Sequence, residues 1–165
     1  MNVNGTHYRT VWMEGSAVRM IDQRWLPHRF TVVDLQAVAG TCTAIRDMWV
    51  RGAGAIGATA GYGMAQAALL ADGDDWREQV AQAAAALCAT RPTAHNLFYA
   101  VERVAAAIDG SADLGEAQER AVAETCTAIR DMWVRGAGAI GATAGYGMAQ
   151  AALLADGDDW REQVA

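Results

Sequence analysis

Hydrophobic and polar residues alternate with a period of two near the start of the chain and with a period of about 3.6 after residue 34. Tyr8, Thr10, Val11 and Trp12 favour β structure, Glu14-Gly15-Ser16 supplies a turn, and Val18 and Met20 resume the alternation towards Asp22. Pro27 breaks it, and a second short apolar run, Phe30 to Val33, precedes Asp34. Short strands of a small antiparallel sheet are expected over 7–33. Leu35, Val38, Cys42, Ile45, Met48 and Trp49 then share one helical face, with Asp34 placed as the N-cap. Gly52 and Gly54 interrupt, and Ala55 to Leu70 reads as a helix with small residues along one side. Asp72-Gly73-Asp74 reads as a loop whose last residue caps a helix running to about Ala89. Pro92 falls at a first turn, Leu97, Phe98, Val101 and Val104 mark a helix from Ala94 to Ile108, and Gly110-Ser111 ends it. A further helix starts near Asp113. The expected fold class is α+β, mostly α: a small N-terminal antiparallel sheet (1–33) and a helical bundle (34–124), with no Rossmann domain.

This pattern does not simply continue to the end. Thr41 to Ala81 recurs letter for letter as Thr125 to Ala165, at an offset of 84 residues. The match reaches back through Ala37-Val38-Ala39 and Ala121-Val122-Ala123, broken only by Gly40 against Glu124. Natural repeats drift at surface positions, so perfect identity implies a recent copying event, whether duplication, splice, engineering or gene assembly. The organisation expected is therefore residues 1–124 as the domain to be read for function, and 125–165 as a duplicated helix–glycine–helix segment. Its apolar face, from Ile129, Met132 and Trp133 to Ile140–Leu154, has no evolved partner. Each large apolar side chain buried is worth about 1.5–3 kcal/mol. The segment is thus expected to pack imperfectly or to form a homodimer or a domain-swapped oligomer, with Trp133 more mobile than Trp49.

Composition narrows the chemistry. All 13 basic residues are arginine, which removes reactions that need a lysine amine, such as Schiff-base catalysis or a phosphate-loop lysine. A net charge of −6 argues against a nucleic-acid partner. Cys42, Cys88 and Cys126 lie neither in a CxxC pair nor near a histidine at ligand spacing, so no metal site is expected, only buried free thiols. Gly52–Ala71 is apolar but alanine- and glycine-rich, with Thr59, Tyr62 and Gln66 inside it, and no membrane span is expected. The start MNVNGTHYR lacks a basic segment followed by an apolar run, so the expectation is a cytoplasmic protein without a secretory signal.

Gly52-Ala53-Gly54-Ala55-Ile56-Gly57 satisfies GxGxxG, yet a helical pattern precedes it where a dinucleotide fingerprint needs a strand, and no cofactor is expected. A different chemistry suits these residues. Arg51 stands immediately before a glycine-rich break that opens a helix, where unpaired amides and the positive dipole end attract an anion. Its guanidinium adds a charged fork suited to phosphate. Arg91, in Thr90-Arg91-Pro92-Thr93, stands at a second helix mouth. Close helix packing by the glycines, with both arginines solvated, explains the same spacing.

Four segments, YRTVWMEG (8–15), IDQRWLPHRF (21–30), IRDMWVRGAGAIGATAGYGMA (45–65) and TRPTAHNLFYAVERV (90–104), resemble the N-terminal part of the S-methyl-5-thioribose-1-phosphate isomerases. Those enzymes are relatives of the regulatory subunits of translation initiation factor 2B. Gly54 departs from the pattern, where proline is commoner. The resemblance implies an aldose–ketose isomerase lineage in methionine salvage, with Arg51, Gly52 and Ala53 binding the sugar-phosphate substrate and Arg91 adding a contact. It also implies a Rossmann-like C-terminal domain with a cysteine in a Cys-Asn context, an aspartate in Asn-Gly-Asp and an Asn-Lys pair. None is matched, since the asparagines are Asn2, Asn4 and Asn96 and lysine is absent. Proton transfer between sugar carbons rests on placed acid–base groups, each contributing about 10²–10⁴-fold. No residue is therefore assigned a catalytic role, and a truncated substrate-recognition domain, inactive alone, is expected. Asp47 and Asp131 are read as solvated helix carboxylates, and His95 as a packing or capping residue. The alternatives are a non-catalytic helical interaction module, a ribose-bisphosphate isomerase relative, or an assembly artefact.

Overall fold

The computed structural model describes residues 2–132. The chain divides into two compact units, Met1–Arg130 and Asp131–Ala165. Expectations for Trp133 and for most of the duplicated segment lie outside the described residues.

The first unit is α+β and mostly helical, as the periodicity predicts. It opens with a hairpin of β1 (Asn2–Val3) and β2 (Thr6–His7) around Asn4 and Gly5, both at positive φ (48° and 81°). Asn-Gly is the residue pair such a turn demands, although the alternation alone placed the first strand later. β3 (Val11–Glu14) and β4 (Ala17–Ile21) pair antiparallel across Gly15-Ser16, and β5 (Val32–Leu35) pairs with β4 on its other side. β4 is central, and its Val18 and Met20 are fully buried.

Helices α1 (Val38–Arg46), α2 (Ala53–Leu70), α3 (Trp76–Thr90) and α4 (His95–Asp109) follow. A fifth, α5, begins at residue 114 and runs through the rest of the unit. α2 is the hub, packing against α1, α3, α4, β3 and β4. Burial nearly all round explains why its sequence is apolar without a stripe. No helix among the described residues is long and apolar enough to cross a membrane. Close approach depends on Gly63, where a Cβ would meet Leu87 Cδ2 at 3.0 Å and Thr41 Cγ2 at 3.1 Å. Gln66, fully buried, fastens α2 to its neighbours. Its Oε1 accepts from Thr41 Oγ1 (2.8 Å), and its Nε2 donates to Leu35 O (2.7 Å) and Ser16 O (3.0 Å). α5 closes the other side of α2, with Thr125 Oγ1 donating to Gly61 O (3.0 Å) and Ala121 and Ala128 fully buried.

Several local expectations are corrected. Asp34 does not cap α1. It lies in β5 opposite Arg19, whose Nε it accepts at 2.6 Å, and the cap is Ala37 with no side-chain bond. Cross-strand pairing through Leu35 claims the carboxylate before the helix starts. α3 begins one residue after Asp75, not Asp74, and Pro92 lies in the turn before α4. Cys42 is buried, Cys88 half-buried and Cys126 exposed, so the burial expected of all three thiols holds fully for Cys42 alone. Burial raises the Cys42 and Cys88 thiols above their ordinary pKa.

The largest correction is at 47–49. The apolar stripe carries α1 on through Met48 and Trp49, yet the helix stops at Arg46. Met48 turns left-handed (φ 60°), its N–H reaches back to Ile45 O (3.4 Å), and the Trp49 N–H reaches Ala44 O (2.9 Å). This is a Schellman stop with methionine where glycine usually sits.

Candidate functional site

The Schellman stop throws the chain into a short connector, Trp49-Val50-Arg51-Gly52, before α2 begins. Val50 is fully buried and anchors the connector, while Arg51, Gly52 and Ala53 are exposed. Gly52 is the N-cap of α2 with φ 91° and ψ 136°, a conformation that an L side chain rarely adopts. A Cβ at Gly52 or Gly54 would meet nothing within 4 Å, so open space fronts the helix start. Among the described residues no side chain caps α2, and no acidic residue lies in its first turn. Its first intrahelical bond there is Ile56 N–H to Gly52 O at 2.9 Å. The preceding amides and the positive end of the dipole remain available to an anion. Among the described residues, no carboxylate pairs with the Arg51 guanidinium.

Arg91 follows the last residue of α3 and is half-buried. Its Nη1 contacts the Met48 sulfur, so the structure brings Arg91 against the turn that leads to Arg51. All four sequence-predicted residues thus belong to one neighbourhood: Arg51, Gly52 and Ala53 on the connector and first turn of α2, Arg91 across Met48 from it.

The sequence reading missed what holds this connector in place. Gln23 donates its N–H to Trp49 O (2.9 Å) and accepts the Arg51 N–H on Oε1 (2.6 Å). Asp22, 1% exposed, turns the chain by accepting the Arg24 N–H (3.1 Å) and pairs bidentately with that side chain, at 2.9 Å to Nε and 2.7 Å to Nη2. The Arg24 guanidinium lies 4.2 Å from the Trp49 ring centroid, a cation–π contact. Hydrogen bonding from Arg24 holds the Asp22 carboxyl below its ordinary pKa, against the opposing effect of burial. Asp47 ends α1 in the open and adds a longer-range attraction to Arg24. His95 is exposed at the start of α4. Residues 21–30 carry part of the family resemblance, but contacts spanning 25 to 28 positions leave no periodic trace.

Chemically, the neighbourhood offers amides, guanidinium groups and room. No group of three or more metal-ligating side chains occurs among the described residues. It is equipped to hold an anion and to orient it.

A three-stranded sheet and a helical bundle around a glycine-started central helix place the chain in a class of α+β domains with a candidate anion-binding helix mouth. The chain belongs to the Initiation factor 2 subunit family, which it matches over residues 49–159. It is 49% identical over 110 residues to a methylthioribose-1-phosphate isomerase of Paramagnetospirillum magneticum, covering 66% of this chain and 30% of that protein. The isomerase of Cereibacter sphaeroides is 46% identical over 129 residues, covering 76% of this chain and 34% of the relative. The chain therefore spans about a third of the length of the curated relatives it matches. Among solved structures, 5-methylthioribose 1-phosphate isomerase from Pyrococcus horikoshii OT3 superposes with a TM-score of 0.69 at 38% identity, over 73% of this chain and 35% of that one. The delta subunit of translation initiation factor eIF-2B from A. fulgidus gives 0.70 at 33% identity, over 74% and 36%.

Proposed function

We propose that residues 2–130 form the substrate-recognition part of a methylthioribose-1-phosphate isomerase, an aldose–ketose isomerase of methionine salvage. Arg51, Gly52 and Ala53 receive the substrate phosphate at the start of α2, and Arg91 adds a contact from the end of α3. The observation that carries this reading is the positive-φ Gly52 at the start of α2 beside an Arg51 that pairs with no carboxylate among the described residues, with Arg91 drawn to the same turn. Backbone amides and a guanidinium bind a phosphoryl group without reorganising, which favours orientation of the sugar. Proton transfer between the sugar carbons needs an acid–base group that these residues do not supply. In this reading those groups belong to the part of the relatives that this chain does not span.

The test is calorimetric titration of the 165-residue polypeptide with 5-methylthioribose 1-phosphate. One site per chain, lost in Arg51→Ala, is expected, with no turnover in a coupled isomerase assay. Absence of binding to the unaltered protein would contradict the reading.

A second reading, a non-catalytic helical interaction module, is favoured by the equally close superposition on the initiation-factor delta subunit. It predicts no sugar-phosphate binding, so the same titration separates the two.

A further inference from the structure

We propose that Gln23 is a positioning residue for the phosphate cradle, setting the Arg51–Gly52 backbone through two hydrogen bonds to the connector. This inference rests on the cradle reading above. Gln23 grips the connector at both ends of Val50. Its own N–H goes to Trp49 O at 2.9 Å, and its side-chain oxygen takes the Arg51 N–H at 2.6 Å. The second bond matters most, because it commits the Arg51 amide to the Gln23 side chain and so fixes the peptide that leads into Gly52. With that amide fixed, the next peptide must turn, and Gly52 turns it by adopting φ 91°.

Gln23 is itself held. The buried Asp22 carboxylate accepts the Arg24 backbone N–H, which bends the chain so that Gln23 stands at the corner facing the connector. The Asp22–Arg24 pair then presents the guanidinium to the Trp49 ring at 4.2 Å, a third hold on the same connector. Arg91, at the end of α3, meets Met48 in the turn before the connector. The cradle is thus braced from residues 22–24 and from residue 91, and one brace ends on the backbone of Arg51 itself. A loop site gains precision from such supporting contacts, whose loss leaves the groups present but misplaced.

The experiment compares the full 165-residue chain with Gln23→Met, which keeps the length and removes the acceptor, and Gln23→Glu, which keeps an acceptor for the Arg51 amide. Hydrogen exchange at the Arg51 amide reads the brace, thermal melting reads the fold, and calorimetry with 5-methylthioribose 1-phosphate reads the site. Loss of one hydrogen bond of ordinary strength predicts about tenfold faster exchange at Arg51 in Gln23→Met and about tenfold weaker binding. Gln23→Glu is expected to retain the Arg51 protection. Unchanged exchange in Gln23→Met overturns the brace, whatever happens to binding. Faster exchange with unchanged affinity overturns the positioning role, as does a fall in binding matched by a collapse of the melting transition. Absence of binding in the unaltered chain overturns the cradle reading and the positioning role with it, and the exchange data still report whether the brace exists.

Discussion

Thr41–Asp47 and Thr125–Asp131 are the same seven residues, and the fold uses them in two ways. In the first copy the helix ends at Arg46 and Met48 turns left-handed. In the second the helix continues through Met132. Thr41 gives its hydroxyl hydrogen to the Gln66 side chain, whereas Thr125 gives it to the Gly61 carbonyl on the same helix. Local propensity cannot distinguish identical strings. The stop after Arg46 is imposed by partners that occur once in the chain: Gln23 on Trp49 and Arg51, Arg24 on the Trp49 ring, and Arg91 on Met48. Left-handed methionine costs about 1–2 kcal/mol, so those contacts together must outweigh it. The candidate site of the first copy is a product of tertiary bracing by these contacts.

The comparison breaks most visibly at the buried polar contacts. Gln66→Leu strands Leu35 O, Ser16 O and the Thr41 hydroxyl, and is expected to lower stability by about 3 kcal/mol. Thr125→Val removes a single hydrogen bond to Gly61 O, which stays within the ladder of α2, and about 1 kcal/mol is expected. Urea denaturation of the two variants measures both, and equal losses would mean that the copies are held alike.

Next in size is the Asp22 brace. Asp22→Ala leaves Arg24 without its buried partner and is expected to cost about 2 kcal/mol. Because the folded carboxyl sits below its ordinary value, the stability it adds is complete above the unfolded pKa of about 3.9 and is lost as pH falls through the lower folded value. Urea midpoints followed between pH 5 and pH 3 should fall in the unaltered chain, with a shallower fall in Asp22→Asn.

Substituting the same residue in each copy sharpens the contrast further. Met48→Gly relieves the left-handed turn and is expected to stabilise by about 0.5–1 kcal/mol, less whatever the Arg91 contact supplied. Met132→Gly replaces a buried, helical methionine with glycine and is expected to destabilise by about 1 kcal/mol. Opposite signs in thermal melting are the result to look for. The smallest effect belongs to Arg51→Ala, which removes an exposed side chain and should change stability by no more than about 0.5 kcal/mol while abolishing phosphate binding.

What the sequence made legible follows the same division. The β3–β4 hairpin, the helices and the apolar identity of α2 follow from alternation, glycine turns and small-residue runs, all local. Asn4-Gly5 is a local signal too, weaker than the alternation that follows it. The end of α1 was not legible, because a methionine in the left-handed region carries no compositional mark. Asp34 resembles a cap because a carboxylate before a helix usually is one, and its cross-strand partner Arg19 is invisible to spacing. Arg51, Gly52, Ala53 and Arg91 could be proposed from residue chemistry and family resemblance. Their braces, Asp22, Gln23 and Arg24, could not be given a role until the fold brought them to the connector.

The most direct measurement is a titration of 5-methylthioribose 1-phosphate into the 165-residue chain, its Arg51→Ala variant and its Arg135→Ala variant. Arg135 is the same residue in the second copy, and it lies outside the described residues. Gln23 and Arg91 are present once, so the account predicts one site per chain, lost in Arg51→Ala and retained in Arg135→Ala. Two equivalent sites, or equal losses from either substitution, would contradict it.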